Sequence, residues 1–262
     1  MIILKIKQFI GVFFALVAAS VTANAAEKII IYGDDDYAPY SYVEDGRFKG
    51  MYVEILSETA KMLAPDYMIE LQPIPWKRGL AELANGSSFA LFPPGLKKER
   101  DYIQPYSIAI YRETVVLFCN DKVLKTPREN FPDDFVGLTI GVNAGFLLSD
   151  RLMDAANRGV VKLEPAKGNE ANLEKLALNR IDCYASDRAA AIYSLKRLPP
   201  YFRSVNFRLR EAVELSGEDT FLAYSIKNNP TYKTDFIRKM NSALERMQRS
   251  GEIARIEKGY VQ

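Results

Sequence analysis

The sequence predicts an α/β fold of two similar lobes with mostly parallel sheets, on three observations. Strand-like and helix-like segments alternate along most of the chain. Leu80-Ala-Glu-Leu83-Ala84-Asn85-Gly86 runs into one strand, and Leu173-Glu-Lys-Leu176-Ala177-Leu178-Asn179 runs into another in the same way. Removing a 25-residue leader from 262 residues leaves 237, enough for one large domain or two lobes.

The leader is read from the N-terminus. Lys5 and Lys7 sit near the start of an apolar run reaching Ala19, and the stretch ends in Ala23-Asn24-Ala25, the small residues a signal peptidase reads. The apolar core is short for a membrane anchor, which needs about 20 residues. Residues 1–25 are therefore expected to be cleaved on export, and no later segment is apolar enough to cross a membrane.

The elements follow in order. Lys28 to Gly33 reads as a short buried strand. Met51 to Leu63 places Met51, Ile55, Leu56, Ala60 and Leu63 at helical spacing. Tyr67 to Pro73 is a strand, Trp76 to Ala84 a helix ending at the turn signal Asn85-Gly86, and Phe89 to Phe92 a strand halted by Pro93-Pro94-Gly95. A second series begins with the strand Thr114 to Cys119 and a polar connection to Asp134. It continues through strand Leu138 to Val142, helix Leu147 to Ala156, strand Val160 to Glu164, helix Ala171 to Leu178, strand Ile181 to Ala185 and helix Ala189 to Leu198. Phe221 to Ile226 is a late strand, followed by helices over Thr231 to Arg249 and Glu252 to Lys258.

Composition excludes several functions. Loss of Lys5 and Lys7 takes the formal charge from +2 to 0, so no global field points to nucleic acid. The chain has no histidine, which excludes Ser-His-Asp and Cys-His catalysis and disfavours a transition-metal site. Cys119 and Cys183 are either a disulfide, which an oxidising compartment permits, or two buried free thiols. In Tyr32-Gly-Asp34-Asp35-Asp36-Tyr37-Ala-Pro39-Tyr40-Ser-Tyr42, acidic and aromatic side chains crowd one strand end. By itself that cluster fits a catalytic carboxylate group, a metal site or a clamp for a cationic ligand group.

The order of motifs resembles the bacterial family 3 extracytoplasmic solute-binding proteins, the polar amino-acid receptors of ABC transporters. The resemblance runs from about Lys28 to Tyr260. It is carried by Asp34 to Ser41, Gly46-Arg-Phe-Lys-Gly50-Met-Tyr-Val-Glu54, Trp76, Glu99-Arg100 with Pro105-Tyr106, Gly141-Val-Asn-Ala-Gly145, and Asp182 with Asp187. It implies the type II periplasmic-binding-protein fold, two α/β lobes on two hinge strands that close on a ligand. Lobe one would be residues 26–113 plus 222–262, and lobe two residues 114–221. The family topology sets the first strand of lobe two antiparallel to Ile181–Ala185, which implies a Cys119–Cys183 bridge.

The resemblance also implies a ligand set, with no catalytic residue, metal or cofactor. Arg100 would hold a ligand carboxylate through two charge-assisted hydrogen bonds. Asp34 and Asp187 would accept from an ammonium group, although an aspartate at position 187 is equally a helix N-cap. Tyr37 and Trp76 would sandwich the ligand side chain, Trp76 being otherwise a core residue; Tyr40, Tyr106 and Tyr111 would line the cleft. Three departures set this chain apart. Gly95 stands where many relatives carry a serine or threonine, Gly145-Phe146-Leu147 replaces a Gly-Thr-Thr-like turn, and Tyr52 replaces a frequent acid as a structural change only. Phe146 would then add an aromatic to the ligand site. The implied protein is a periplasmic monomer that delivers a small polar solute to an inner-membrane ABC permease. The alternatives are a dehydratase-like enzyme on the same fold, using Asp34 to Asp36 or Glu54, and a sensory partner of a membrane receptor.

Overall fold

The computed structural model describes residues 26–64, 66–144, 149–201 and 207–261. The leader and the Gly145-Phe146-Leu147 turn lie outside the described residues. The chain begins with β1 (Glu27–Asp34), a small meander of β2 (Asp36–Tyr37), β3 (Ser41–Glu44) and β4 (Arg47–Lys49), and helix α1 (Met51–Leu63). Then come β5 (Tyr67–Ile74), α2 (Trp76–Asn85), β6 (Ala90–Phe92) and β7 (Ile103–Tyr106). The second series is β8 (Tyr111–Cys119), β9 (Thr139–Asn143), α3 (Asp150–Asn157), β10 (Lys162–Ala166), α4 (Gly168–Ala177), β11 (Cys183–Asp187) and α5 (Arg188–Arg197). The chain ends with β12 (Glu211–Thr220), β13 (Ala223–Ser225) and the helices α6 (Lys233–Ser250) and α7 (Glu252–Val261).

Two five-stranded sheets result, ordered β5-β1-β6-β13-β7 and β10-β9-β11-β8-β12. Both are mixed rather than mostly parallel. β5, β1 and β6 run parallel, as do β10, β9 and β11, but β13 is antiparallel to β6 and β7, and β8 is antiparallel to β11 and β12. The antiparallel members are the strands beside the interlobe crossing. β8 and β12 pair from Glu211↔Phe118 to Thr220↔Tyr111, and beyond that end Ile110 N donates to the Thr220 carbonyl at 2.8 Å.

Local chemistry accounts for most of these elements. α1 buries Met51, Tyr52, Val53, Ile55, Leu56 and Leu63 against the first sheet and α6. α2 stops at Gly86, whose φ of 89° suits a residue without Cβ and whose N–H reaches the Glu82 carbonyl at 3.1 Å. The sheet of β8 is covered on both faces: Leu117, Cys119, Cys183 and Ala185 pack with Phe135 and Ile140, while Val116, Phe118 and Tyr184 pack with Leu173 and Leu176. A strand buried on both sides reads as an unbroken apolar run, which Val115 to Cys119 is.

Cys119 and Cys183 are direct cross-strand partners and form a disulfide, with Cα atoms 4.0 Å apart. That is shorter than the usual range, which begins at about 4.4 Å, and directly opposed antiparallel residues already approach to about 4.5 Å.

The lobes also touch beside the hinge. Tyr193 of α5 donates to the Tyr42 hydroxyl at 2.9 Å, and Arg197 reaches Glu44 at 2.8 Å. Tyr40, fully buried, donates to Asp187 at 2.7 Å.

Candidate functional site

A cavity of about 350 Å³ opens beside β8 and β12, at the carboxyl ends of β1 and β6. Strand ends of this kind are where open α/β sheets hold ligands, because the chain turns away and leaves a crevice. β1 delivers Asp34, β2 delivers Tyr37, and α2 begins with Trp76. The turn after β6 supplies Pro93, Gly95, Lys97 and Arg100, and strands β8 and β12 supply Glu113, Glu218 and Thr220. Of the residues singled out in the sequence, Asp34, Tyr37, Trp76, Gly95 and Arg100 thus line one cavity. Asp36 is on its rim and exposed.

Arg100 sits in the turn before β7. Its guanidinium lies 5.7 Å from the centre of the Trp76 ring and donates one hydrogen bond, 2.9 Å, to the Gly95 carbonyl. Stacking and that single bond orient the planar group while leaving donors to spare for a planar anion. Trp76 packs on the core of Ile74, Leu83 and Leu91 and also lines the cavity. Burial pushes the Asp34 carboxyl above its ordinary range, against a 3.2 Å hydrogen bond from the Asp36 N–H.

Asp187 lies outside the cavity wall. It caps α5, accepting from Ala190 N at 2.8 Å, and takes the Tyr40 hydroxyl on the same oxygen, Oδ1. Oδ2 is buried without a hydrogen-bond partner, and burial raises this carboxyl's pKa. Tyr111 donates to Glu257 at 2.5 Å, and Tyr106 packs edge-on against Phe221; neither lines the cavity. Glu54 faces Tyr260 instead, 3.3 Å from its hydroxyl. The loop carrying Phe146 lies outside the described residues.

The sequence reading missed two acids. Glu113 accepts from the Tyr37 hydroxyl on Oε2 and from the Tyr52 hydroxyl on Oε1, each at 2.6 Å. Tyr52 also lies 2.8 Å from Thr220 Oγ1 and stacks on Tyr40, ring centres 4.9 Å apart. The tyrosine at position 52 therefore supports the site acid, a larger part than a change of structure alone. Burial first, then repulsion from Asp187, push Glu113 up to about 7; the two phenol donors pull the other way without winning.

Glu218 is the second acid. Its Oε1 lies 2.0 Å from where a Cβ on residue 95 would stand, so the half-exposed carboxylate passes directly over the bare glycine. Its other contact is Lys97, at 3.4 Å and well exposed. Among the described residues no group of three or more His, Cys, Asp or Glu side chains is placed to hold a metal ion, and no helix is long and apolar enough to cross a membrane.

The family described as bacterial extracellular solute-binding proteins, family 3, matches residues 29–262. A curated protein of Bacillus subtilis named "Probable amino-acid-binding protein YxeM" is 21% identical over 234 residues, covering 85% of this chain and 79% of that protein. Among solved structures, substrate-binding domain 2 of Lactococcus lactis GlnP in an open conformation superposes with a TM-score of 0.72 at 16% identity, covering 90% of this chain and 96% of that one. The unliganded, open L-cystine receptor of Neisseria gonorrhoeae gives 0.70 at 16% identity, covering 91% and 94%. These likenesses share the two-lobe fold, and the match over residues 29–262 makes the chain a member of the bacterial extracellular solute-binding proteins, family 3.

Proposed function

We propose that the exported chain captures a small amino-acid-like solute in the cavity at the hinge and delivers it to an inner-membrane ABC permease. One observation carries this reading: Arg100, stacked on Trp76 with donors to spare, shares a cavity of about 350 Å³ with the carboxylates Asp34, Glu113 and Glu218. A zwitterion buried there has a partner for each charge, which burial in a closing cleft demands. Lobe one is taken as residues 26–113 plus 222–262 and lobe two as 114–221, with β8 and β12 as hinge strands. The ligand acts by population shift, favouring closure as far as it binds the closed form more tightly.

A thermal-shift screen of amino acids, polyamines and small organic acids on the protein without residues 1–25 tests the reading. A ligand at 100 times its Kd should add about 2.7 kcal/mol of stability. Arg100→Ala should abolish the shift given by a carboxylate ligand; a shift that survives the substitution unchanged counts against the assigned role.

A second reading rests on Glu113 alone. A carboxyl near pH 7 in a ligand cavity suits acid–base work, so an enzyme on this fold would use it to move a proton. Mass spectrometry of the bound solute separates the two: unchanged solute supports capture, and a product supports catalysis.

A further inference from the structure

We propose that Glu113 and Glu218 together form a cation subsite, so that the captured solute carries an ammonium or guanidinium group on its side chain. The inference rests on the reading of the cavity as an amino-acid site and names the class of solute.

The register of the hinge strands carries it. Glu113 of β8 and Glu218 of β12 are direct cross-strand partners, and both line the cavity. Like charges set directly opposite one another on an antiparallel pair repel, so a chain keeps such a pair at a cost that a cation lying between them would remove. The two carboxylates differ in how they are held: Glu218 is half exposed and reaches Lys97 at 3.4 Å. Glu113 is fixed by hydrogen bonds of 2.6 Å from both Tyr37 and Tyr52. Glu218 passes over Gly95, its Oε1 2.0 Å from where a Cβ on residue 95 would stand.

The charge balance of the wall points the same way. Asp34, Asp36, Glu113 and Glu218 face Lys97 and Arg100. An α-carboxylate on Arg100 and an α-ammonium on Asp34 leave the glutamate pair with only Lys97, 3.4 Å from Glu218 and half exposed, to balance it. A side-chain cation completes the set. The aromatic faces of Tyr37 and Trp76 favour it further, because their negative quadrupoles attract positive charge.

The test uses pairs of solutes alike in shape and different in charge: arginine against citrulline, and lysine against Nε-acetyl-lysine, titrated calorimetrically into the protein. The charged member of each pair is expected to bind at least about thirtyfold tighter, the scale of a lost partner in a buried charge pair. Glu218→Gln should cut that preference about tenfold or more, and Glu113→Gln should do the same. Gly95→Ser, by forcing the Glu218 carboxylate aside, should resemble Glu218→Gln. Glu214→Gln, on the same strand but outside the cavity wall, should leave the preference intact and so reports on the strand itself. Citrulline binding as tightly as arginine would overturn the cation subsite and leave the amino-acid reading standing. Binding of no α-amino acid at all would overturn both.

Discussion

Replacing Cys119 and Cys183 together with alanine is expected to cost about 4 kcal/mol of stability. The bridge closes a loop of 64 residues, and chain entropy for a loop of that length gives about this value. Both cysteines are buried between β8 and β11, so alanine is the better replacement: serine would add buried hydroxyls and confuse the reading. For a chain of this size the loss corresponds to a fall in Tm of about 8–16 °C, at about 2–4 °C per kcal/mol. Urea or thermal unfolding of the double variant, and of the wild type with and without reductant, measures it. Unchanged curves would show that lobe two is held without the bridge.

The second large effect concerns Glu113 and has a definite sign. Its folded-state pKa, about 7, lies above the ordinary value of 4.5, so between those pH values the folded chain binds more protons than the unfolded one. Stability is then full below about 4.5 and falls as pH rises to about 7. A shift of this size corresponds to about 3 kcal/mol at about 1.4 kcal/mol per unit. Burial raises the pKa most; Asp187 and Glu218 raise it further by repulsion, and the Tyr37 and Tyr52 phenol donors lower it. Glu113→Gln removes the titrating group and keeps an oxygen to accept from the tyrosines. The variant is expected to match the wild type near pH 4.5 and to exceed it by up to about 3 kcal/mol at pH 8. Parallel stability curves for the two proteins from pH 4.5 to 8 would show that Glu113 ionises normally.

Much of this architecture is legible in the residues. α1 begins and ends where the spacing of Met51, Ile55, Leu56 and Leu63 places it, and the Asn85-Gly86 signal marks the end of α2. The five residues that meet in the cavity are readable because each lies in a motif of local sequence. β12 is not readable in that way. Glu211, Glu214, Glu218 and Asp219, with Ser216 and Gly217 between them, give no strand propensity, and two bulges break the pairing. It is a strand because β8, about 100 residues earlier, offers a long partner, and charged residues suit an edge. Glu218 is hidden for the same reason. Glu113 looks like a boundary residue until Tyr37 and Tyr52, from another part of the chain, are seen to close on it. Helix and strand alternation alone points to mostly parallel sheets, because it does not reveal which strands return; the antiparallel pairing of β8 with β11 is expected only from the family topology.

Trp76 offers the most direct test of the proposed site, as it is the only tryptophan in the chain and lines the cavity. Titration of the protein with amino acids, followed by Trp76 emission, is expected to give a saturable change for at least one solute, and Arg100→Ala is expected to remove it. A solute that stabilises the protein against heat while leaving Trp76 emission untouched, or whose effect on emission survives Arg100→Ala, would place the binding site elsewhere.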